Sequence, residues 1–211
     1  MPLRDVPPSR VFLLSPAHCG GERAQLVFNE RARFDLARRL RTPAGAPLGD
    51  VFSFLSGLYF RGKLAYAQAF ARPPATLGGV YVITPSDGLQ LASAPVDLAR
   101  LRRFARVDIN ADDPRYRRPL LRDTRRLAAV IGPGCEVVLL GSIATGKYVD
   151  PLLAALGDQL RFPSDFVGRG DMSRGGLLLR CVRAGLELPY VAVNGAGRRR
   201  GARPPRLAPP R

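Results

Sequence analysis

Tryptophan is missing from the chain, histidine occurs once (His18), and only two of the 33 basic residues are lysine. A single histidine rules out a histidine-cluster metal site, and it makes a Ser-His-Asp triad depend on one residue. No G-x-S-x-G, no H-E-x-x-H and no G-x-G-x-x-G between a strand and a helix is present. Cysteine is scarce too. Cys19, Cys135 and Cys181 form an odd set with no C-x-x-C spacing, which argues against a disulfide framework and for a reduced, cytosolic setting. Long apolar runs are absent, and the first ten residues, MPLRDVPPSR, lack the apolar stretch of a secretory signal. No membrane partner and no bound cofactor or metal are expected.

Arginine is what the chain has instead. The formal net charge is +16 over 211 residues, a field that attracts phosphate polymers. Part of it follows from a composition rich in Arg, Ala, Gly and Pro, as in GC-rich genomes. Part sits in the last 17 residues, GAGRRRGARPPRLAPPR, which can bury no core and are expected to be disordered. The length suits one domain, placed over residues 10–194 between a flexible N-terminus (1–9) and the basic tail (195–211).

Apolar runs alternate with amphipathic stretches. Residues 11–15, 79–84, 136–141, 159–162 and 187–193 read as strands. Helices are expected over 22–41, over 50–71 with breaks at Gly57 and Gly62, and near 96–105, 115–131, 149–157 and 175–184. The pattern predicts a three-layer α/β fold, a mostly parallel sheet of about five strands with helices on both faces. Ligands in such sheets bind beyond the carboxyl ends of the strands. Three loops fall there: 15–21, 84–88 and 141–147.

G141-S-I-A-T-G-K-Y148 fits most of a phosphate-binding Walker A loop, with Ser142 and Lys147 as candidate phosphate ligands. It departs where Mg²⁺ would be held, because Tyr148 replaces Ser or Thr. Pro151 follows at once, and no downstream strand ends in a suitable Asp. An anion held by the loop amides at a helix start fits better than nucleotide hydrolysis. F166-V-G-R-G-D-M-S-R-G-G176 is the densest polar loop. Arg169 and Arg174 read as a phosphate clamp with Ser173 beside them, and Asp171 as either a helix cap or the catalytic acid/base. In S56-G-L-Y-F-R-G-K-L-A-Y66, helical spacing puts Tyr59, Lys63 and Tyr66 on one face next to Arg61. That stripe is either core or a base-stacking, phosphate-holding surface. Lys63 and Lys147 both follow a glycine, and lysine differs from arginine in being a compact charge with a movable pKa.

The segments L13-L-S-P-A-H-C19, L58-Y-F-R-G-K63, V82-I-T-P-S-D-G-L89 and L140-G-S-I-A-T-G-K-Y148 follow one another in an order that resembles an uncharacterised bacterial and phage α/β family related to transglycosylase-associated domains. The resemblance covers residues 10 to 160, with Ser15-Pro16 standing where that family has Pro-Cys. It implies a fold close to uracil-DNA-glycosylase-like domains and a link to nucleobase metabolism.

Three functions remain open at this stage. One is an enzyme that binds a nucleotide or nucleic acid and acts at a base or glycosidic bond. The others are a non-catalytic nucleic-acid-binding module, whose affinity would fall steeply with salt, and phosphotransfer through the incomplete Walker loop.

Overall fold

The structure is a computed structural model that describes residues 7–144 and 146–196. The expectations for residues 1–6 and 197–211 therefore lie outside the described residues. In chain order the elements are β1 (Arg10–Leu14), α1 (Glu22–Phe28), α2 (Asp35–Arg39), β2 (Ala46–Pro47), α3 (Leu48–Ser56), α4 (Leu58–Phe70), β3 (Val80–Ile83), β4 (Leu89–Leu91), β5 (Pro95–Val96), α5 (Leu98–Phe104), α6 (Pro114–Val130), β6 (Glu136–Leu140), α7 (Gly146–Leu156), β7 (Leu160–Pro163), α8 (Asp171–Ala184), β8 (Tyr190–Ala192) and α9 (Val193–Ala196).

The main sheet has six strands in the order β4-β3-β1-β6-β7-β8, and β2 pairs with β5 in a separate two-stranded ribbon. Strands β3, β1, β6 and β7 run parallel, and β4 and β8 close the two edges antiparallel. The central strands are apolar without alternation because both of their faces are covered. In β1, Phe12 and Leu14 point to one side, joining a core built with α1, α3, α4, α5 and α8. Val11 and Leu13 point to the other, joining a core built with α6 and α7. The three-layer α/β architecture is thus the one the periodicity predicts, with one strand more.

The extra strand is β4, directly after a stretch read from the sequence as a ligand-binding loop. Residues 84–88 are a hairpin turn instead. The Thr84 N–H donates to the Gly88 carbonyl, and Gly88 takes a positive φ of 67°. Asp87 is held there by Arg100, at 2.6 Å, so the loop's one carboxylate serves the turn. The expected helix over 22–41 is two short helices, and 50–71 breaks at Gly57 (φ 67°) but not at Gly62.

Gly62 stays helical because its lack of a side chain is used for packing. A Cβ on Gly62 would meet the Gly175 carbonyl oxygen at 2.7 Å, and one on Gly175 would meet Tyr59 Cα at 2.9 Å. The two glycines let α4 and α8 touch backbone to backbone, which brings the Tyr59–Lys63 stretch against the start of α8.

Pro151 does not cut α7 short either, since the helix runs on to Leu156. A proline at that position has no N–H for the carbonyl four residues back, which is that of Lys147. Tyr116 of α6 fills the gap, its hydroxyl donating to the Lys147 carbonyl at 2.9 Å. At the opposite end of β1, Arg10 is buried between Glu136 and Glu187, its Nε donating to Glu136 at 3.0 Å, and lies over the Tyr190 ring. This network closes the sheet at the end away from the site.

Candidate functional site

The strand order reverses at β1. The chain leaves β1 through helices on one face to reach β3, then returns past β1 to β6 and leaves that strand through α7 on the other face. Loops that depart to opposite faces open a crevice between them, and this is where open α/β sheets bind ligands. The crevice here has a volume of about 510 Å³. Ser15, Pro16, Ala17 and His18 line it from the end of β1, and Ser142, Lys147 and Tyr148 from the end of β6. Ser56 of α3, Tyr59 and Lys63 of α4, Asp171 of α8, and Asp108 and Ile109 from the loop before α6 complete its wall.

Each side chain has a local reason for its place. The Ser15 N–H donates to the Leu140 carbonyl at 3.2 Å, fixing the first turn after β1 to the end of β6. Gly141 follows Leu140 because a Cβ there would lie 2.9 Å from the Ser15 Cβ. Lys147 is the second residue of α7, with its ammonium 5.1 Å from the centre of the Tyr148 ring. The first turn of a helix carries free N–H groups and a partial positive charge, and Lys147 brings the α7 start to the crevice.

Lys63 is the least expected member. It is 1% exposed, with its ammonium donating to the Ser15 carbonyl at 2.6 Å and to Ser15 Oγ at 2.8 Å. The rings of Tyr59 and Phe60 lie 4.5 Å and 4.8 Å from it. Burial pulls its pKa down to about 7; Asp171 opposes that shift and Arg174 adds to it. Tyr59 is buried beside it, and its hydroxyl has no hydrogen-bond partner among the described residues. Burial raises that phenol to about 12, while the neighbouring Arg174 guanidinium, short of hydrogen-bond geometry, pulls the other way.

Lys147, Ser142, Tyr59, Lys63 and Asp171 all line one crevice. The arginine clamp does not. Arg174 directs Nε and Nη2 at the Phe166 carbonyl (3.2 Å and 3.0 Å), fastening the loop before α8. Arg169 donates to the Asp165 carbonyl at 2.9 Å and to Ser173 Oγ at 3.4 Å, so Arg169 and Ser173 occupy each other. Lys147 and Arg174 stand on helices covering opposite faces of the sheet, and the two helix starts share the crevice through Lys147 and Asp171 instead.

Arg61 is exposed on α4, outside the crevice wall. Tyr66 is fully buried, with its hydroxyl 2.6 Å from that of Tyr190 and accepting from the Leu188 N–H at 2.8 Å, which makes it core and not a stacking platform. Asp171 is not a helix cap, because Gly170 holds that position without a side-chain bond and the Asp171 carboxylate is 71% exposed. Cys19 is removed as a nucleophile: burial pushes its thiol up to about 12.

Sequence reading placed the 15–21 loop at the carboxyl edge of the sheet but singled out no residue in it, and it missed Ser56, Asp108, Ile109 and Tyr148 as members of the site. Comparison of the chain with known protein families, with curated proteins and with solved structures returns no match. The functional argument therefore rests on the crevice.

Proposed function

We infer that the crevice binds a mononucleotide and that the protein acts on its base or glycosidic bond. The observation that carries this reading is the place and make-up of the crevice. It lies at the reversal point of the strand order and combines one cation at a helix start with two carboxylates and two tyrosines. Its volume of about 510 Å³ falls in the range of small-molecule sites and is too confined for a duplex. A single phosphate suits Lys147 and the α7 start, where a compact ammonium adds formal charge to the free N–H groups. The hydroxyl and amino donors of a nucleoside suit Asp108 and Asp171.

In glycosidic cleavage Asp171, the exposed carboxylate at the rim, would take a proton from a water attacking the anomeric carbon. The departing base would leave with the bonding electrons and collect that proton.

A second reading draws on the outer surfaces of α5 and α6, which pack into the cores on opposite sides of the sheet. Arg102, Arg103 and Arg106 on and after α5, and Arg117, Arg118, Arg122, Arg125 and Arg126 on α6, are all exposed. Such a field would attract a nucleic acid and present one of its nucleotides to the crevice.

The test is a thermal-shift series with nucleosides, nucleoside 5′-monophosphates and inorganic phosphate. A monophosphate at about 100 times its Kd should stabilise the protein by about 2.7 kcal/mol. The matching nucleoside should bind more weakly, and Lys147→Ala should cost the monophosphate roughly tenfold in affinity, about 1.4 kcal/mol. Equal affinity of wild type and Lys147→Ala for every monophosphate would remove the phosphate from this helix start.

A further inference from the structure

At the floor of the crevice a serine hydroxyl and a buried amine sit within hydrogen-bond reach, a pairing that nucleotide binding does not use. We propose that Ser15 and Lys63 are a nucleophile and its general base, and that the protein hydrolyses a carboxylic ester through a seryl intermediate. This goes beyond the nucleotide reading and stands whether or not the occupant is a nucleotide.

A serine is a weak nucleophile until a positioned base takes its proton, and the structural mark of such a pair is a short contact with the base itself held by a third group. All three parts are present. Lys63 Nζ lies 2.8 Å from Ser15 Oγ, and its second contact, 2.6 Å to the Ser15 carbonyl, fixes where the amine points. The Tyr59 and Phe60 rings enclose it. Once neutral, the amine can keep one N–H on the carbonyl and turn its lone pair to the serine O–H.

Burial supports that protonation state by bringing Lys63 to about 7, so that a large share of the amine is neutral near neutral pH. The charged groups facing it from α8 are Asp171 and Arg174, which act in opposite directions. Ser15 faces it from β1 and Tyr59 from its own helix, and His18, Asp108, Lys147 and Tyr148 share the crevice.

The charge of the crevice selects the electrophile. With Lys63 neutral, Lys147 is outweighed by Asp108 and Asp171, so the wall does not gather the positive charge that attack on a phosphate calls for. Attack on a neutral carbonyl calls for donors to the developing oxyanion. Ala17 and His18 line the crevice beside Ser15, and no backbone carbonyl among the described residues accepts from either N–H.

In the first step Ser15 Oγ bonds to the carbonyl carbon as its proton passes to Lys63. The ester C–O bond then breaks, and Lys63 returns the proton to the leaving alkoxide. A water molecule repeats the sequence on the seryl ester, releasing the acid and restoring Ser15. No oxidant, reductant or metal enters the balance.

The experiment is active-site labelling of the full chain with a fluorophosphonate, which loses fluoride to an activated serine hydroxyl. The adduct is located by peptide mass mapping, and the rate is followed from about pH 6 to about pH 9. One adduct on Ser15 is expected, with a rate that rises about tenfold per pH unit below a midpoint near the Lys63 value and then levels. Ser15→Ala should give no adduct. Lys63→Arg, which stays protonated and cannot act as a base, should slow labelling at least about 100-fold. The wild-type mapping and pH profile need no variant, so the proposal stays testable if Lys63→Arg does not fold. An adduct on another residue, no adduct on the folded wild type, or a midpoint that disappears in His18→Gln would overturn it.

Discussion

Lys63 is the residue on which the proposed chemistry of the crevice turns. A lysine in water titrates near 10.5, whereas the buried amine of Lys63 titrates near 7. Between those values the unfolded chain binds a proton that the folded protein does not. Stability therefore rises with pH across that window, by at most about 1.4 kcal/mol per pH unit for this one group. Below about pH 7 both states are protonated and the slope disappears. Lys63→Met should flatten the dependence between pH 7 and pH 10 relative to wild type, read as unfolding free energy from urea titrations at several pH values. Parallel curves for the two proteins would show that the amine is charged in the folded state. The neighbouring lysine obeys different physics. Lys147 owes its position to Tyr116, whose hydroxyl caps the carbonyl that Pro151 leaves free. No sequence pattern announces that pairing, because it joins residues on two helices through a bond that exists only once both have packed.

At the scale of elements, the approach of α4 to α8 decides whether the site exists. Gly62 and Gly175 meet with so little room that a methyl on either would fall within 3 Å of the other helix's backbone. Gly62→Ala or Gly175→Ala should cost about 2–3 kcal/mol through overpacking, seen as a lower urea midpoint with an unchanged slope. Both should also shift the ligand response of the crevice, since Tyr59 and Lys63 ride on α4 and Asp171 on α8. A neutral outcome for both would mean that the helices separate freely and that their contact does not set the site. Sequence reading treated Gly62 as a helix breaker because a glycine's backbone freedom is visible in a sequence and its value as a contact is not. The strands were legible for the opposite reason. Val11–Leu14, Val80–Ile83 and Val137–Leu140 are apolar on both faces, and only central parallel strands need that. The hairpin at 84–88 was misread because a polar turn ending in glycine looks the same whether it faces a ligand or folds a strand back. Among the polar loops, the arginines of 166–176 looked like a ligand clamp because their true partners, the carbonyls of Asp165 and Phe166, carry no sequence signature.

Across the whole molecule, the sheet separates two tasks. One end of β1 is closed by the buried Arg10, which Glu136 and Glu187 hold in place, with Arg72 also reaching Glu187 at 2.9 Å. The other end opens at the strand reversal, where Ser15, Lys63, Lys147 and Asp171 meet. The chain is strongly cationic, with a formal charge of +16, while the crevice wall sets two carboxylates, Asp108 and Asp171, beside Lys147. Charge on an exterior raises the rate at which anionic ligands arrive, and under the proposed function the crevice would select among them. No helix among the described residues is long and apolar enough to cross a membrane. The central claim is that ligands are taken up at the strand reversal and not on the arginine-covered helices. Hydrogen exchange of the full chain with and without a nucleoside 5′-monophosphate tests it most directly. The account predicts slowed exchange at residues 15–21, 141–144 and 146–150, and at the start of α8, with the 84–88 turn and α6 unchanged. Protection confined to α5 and α6, with the crevice segments unaffected, would contradict it.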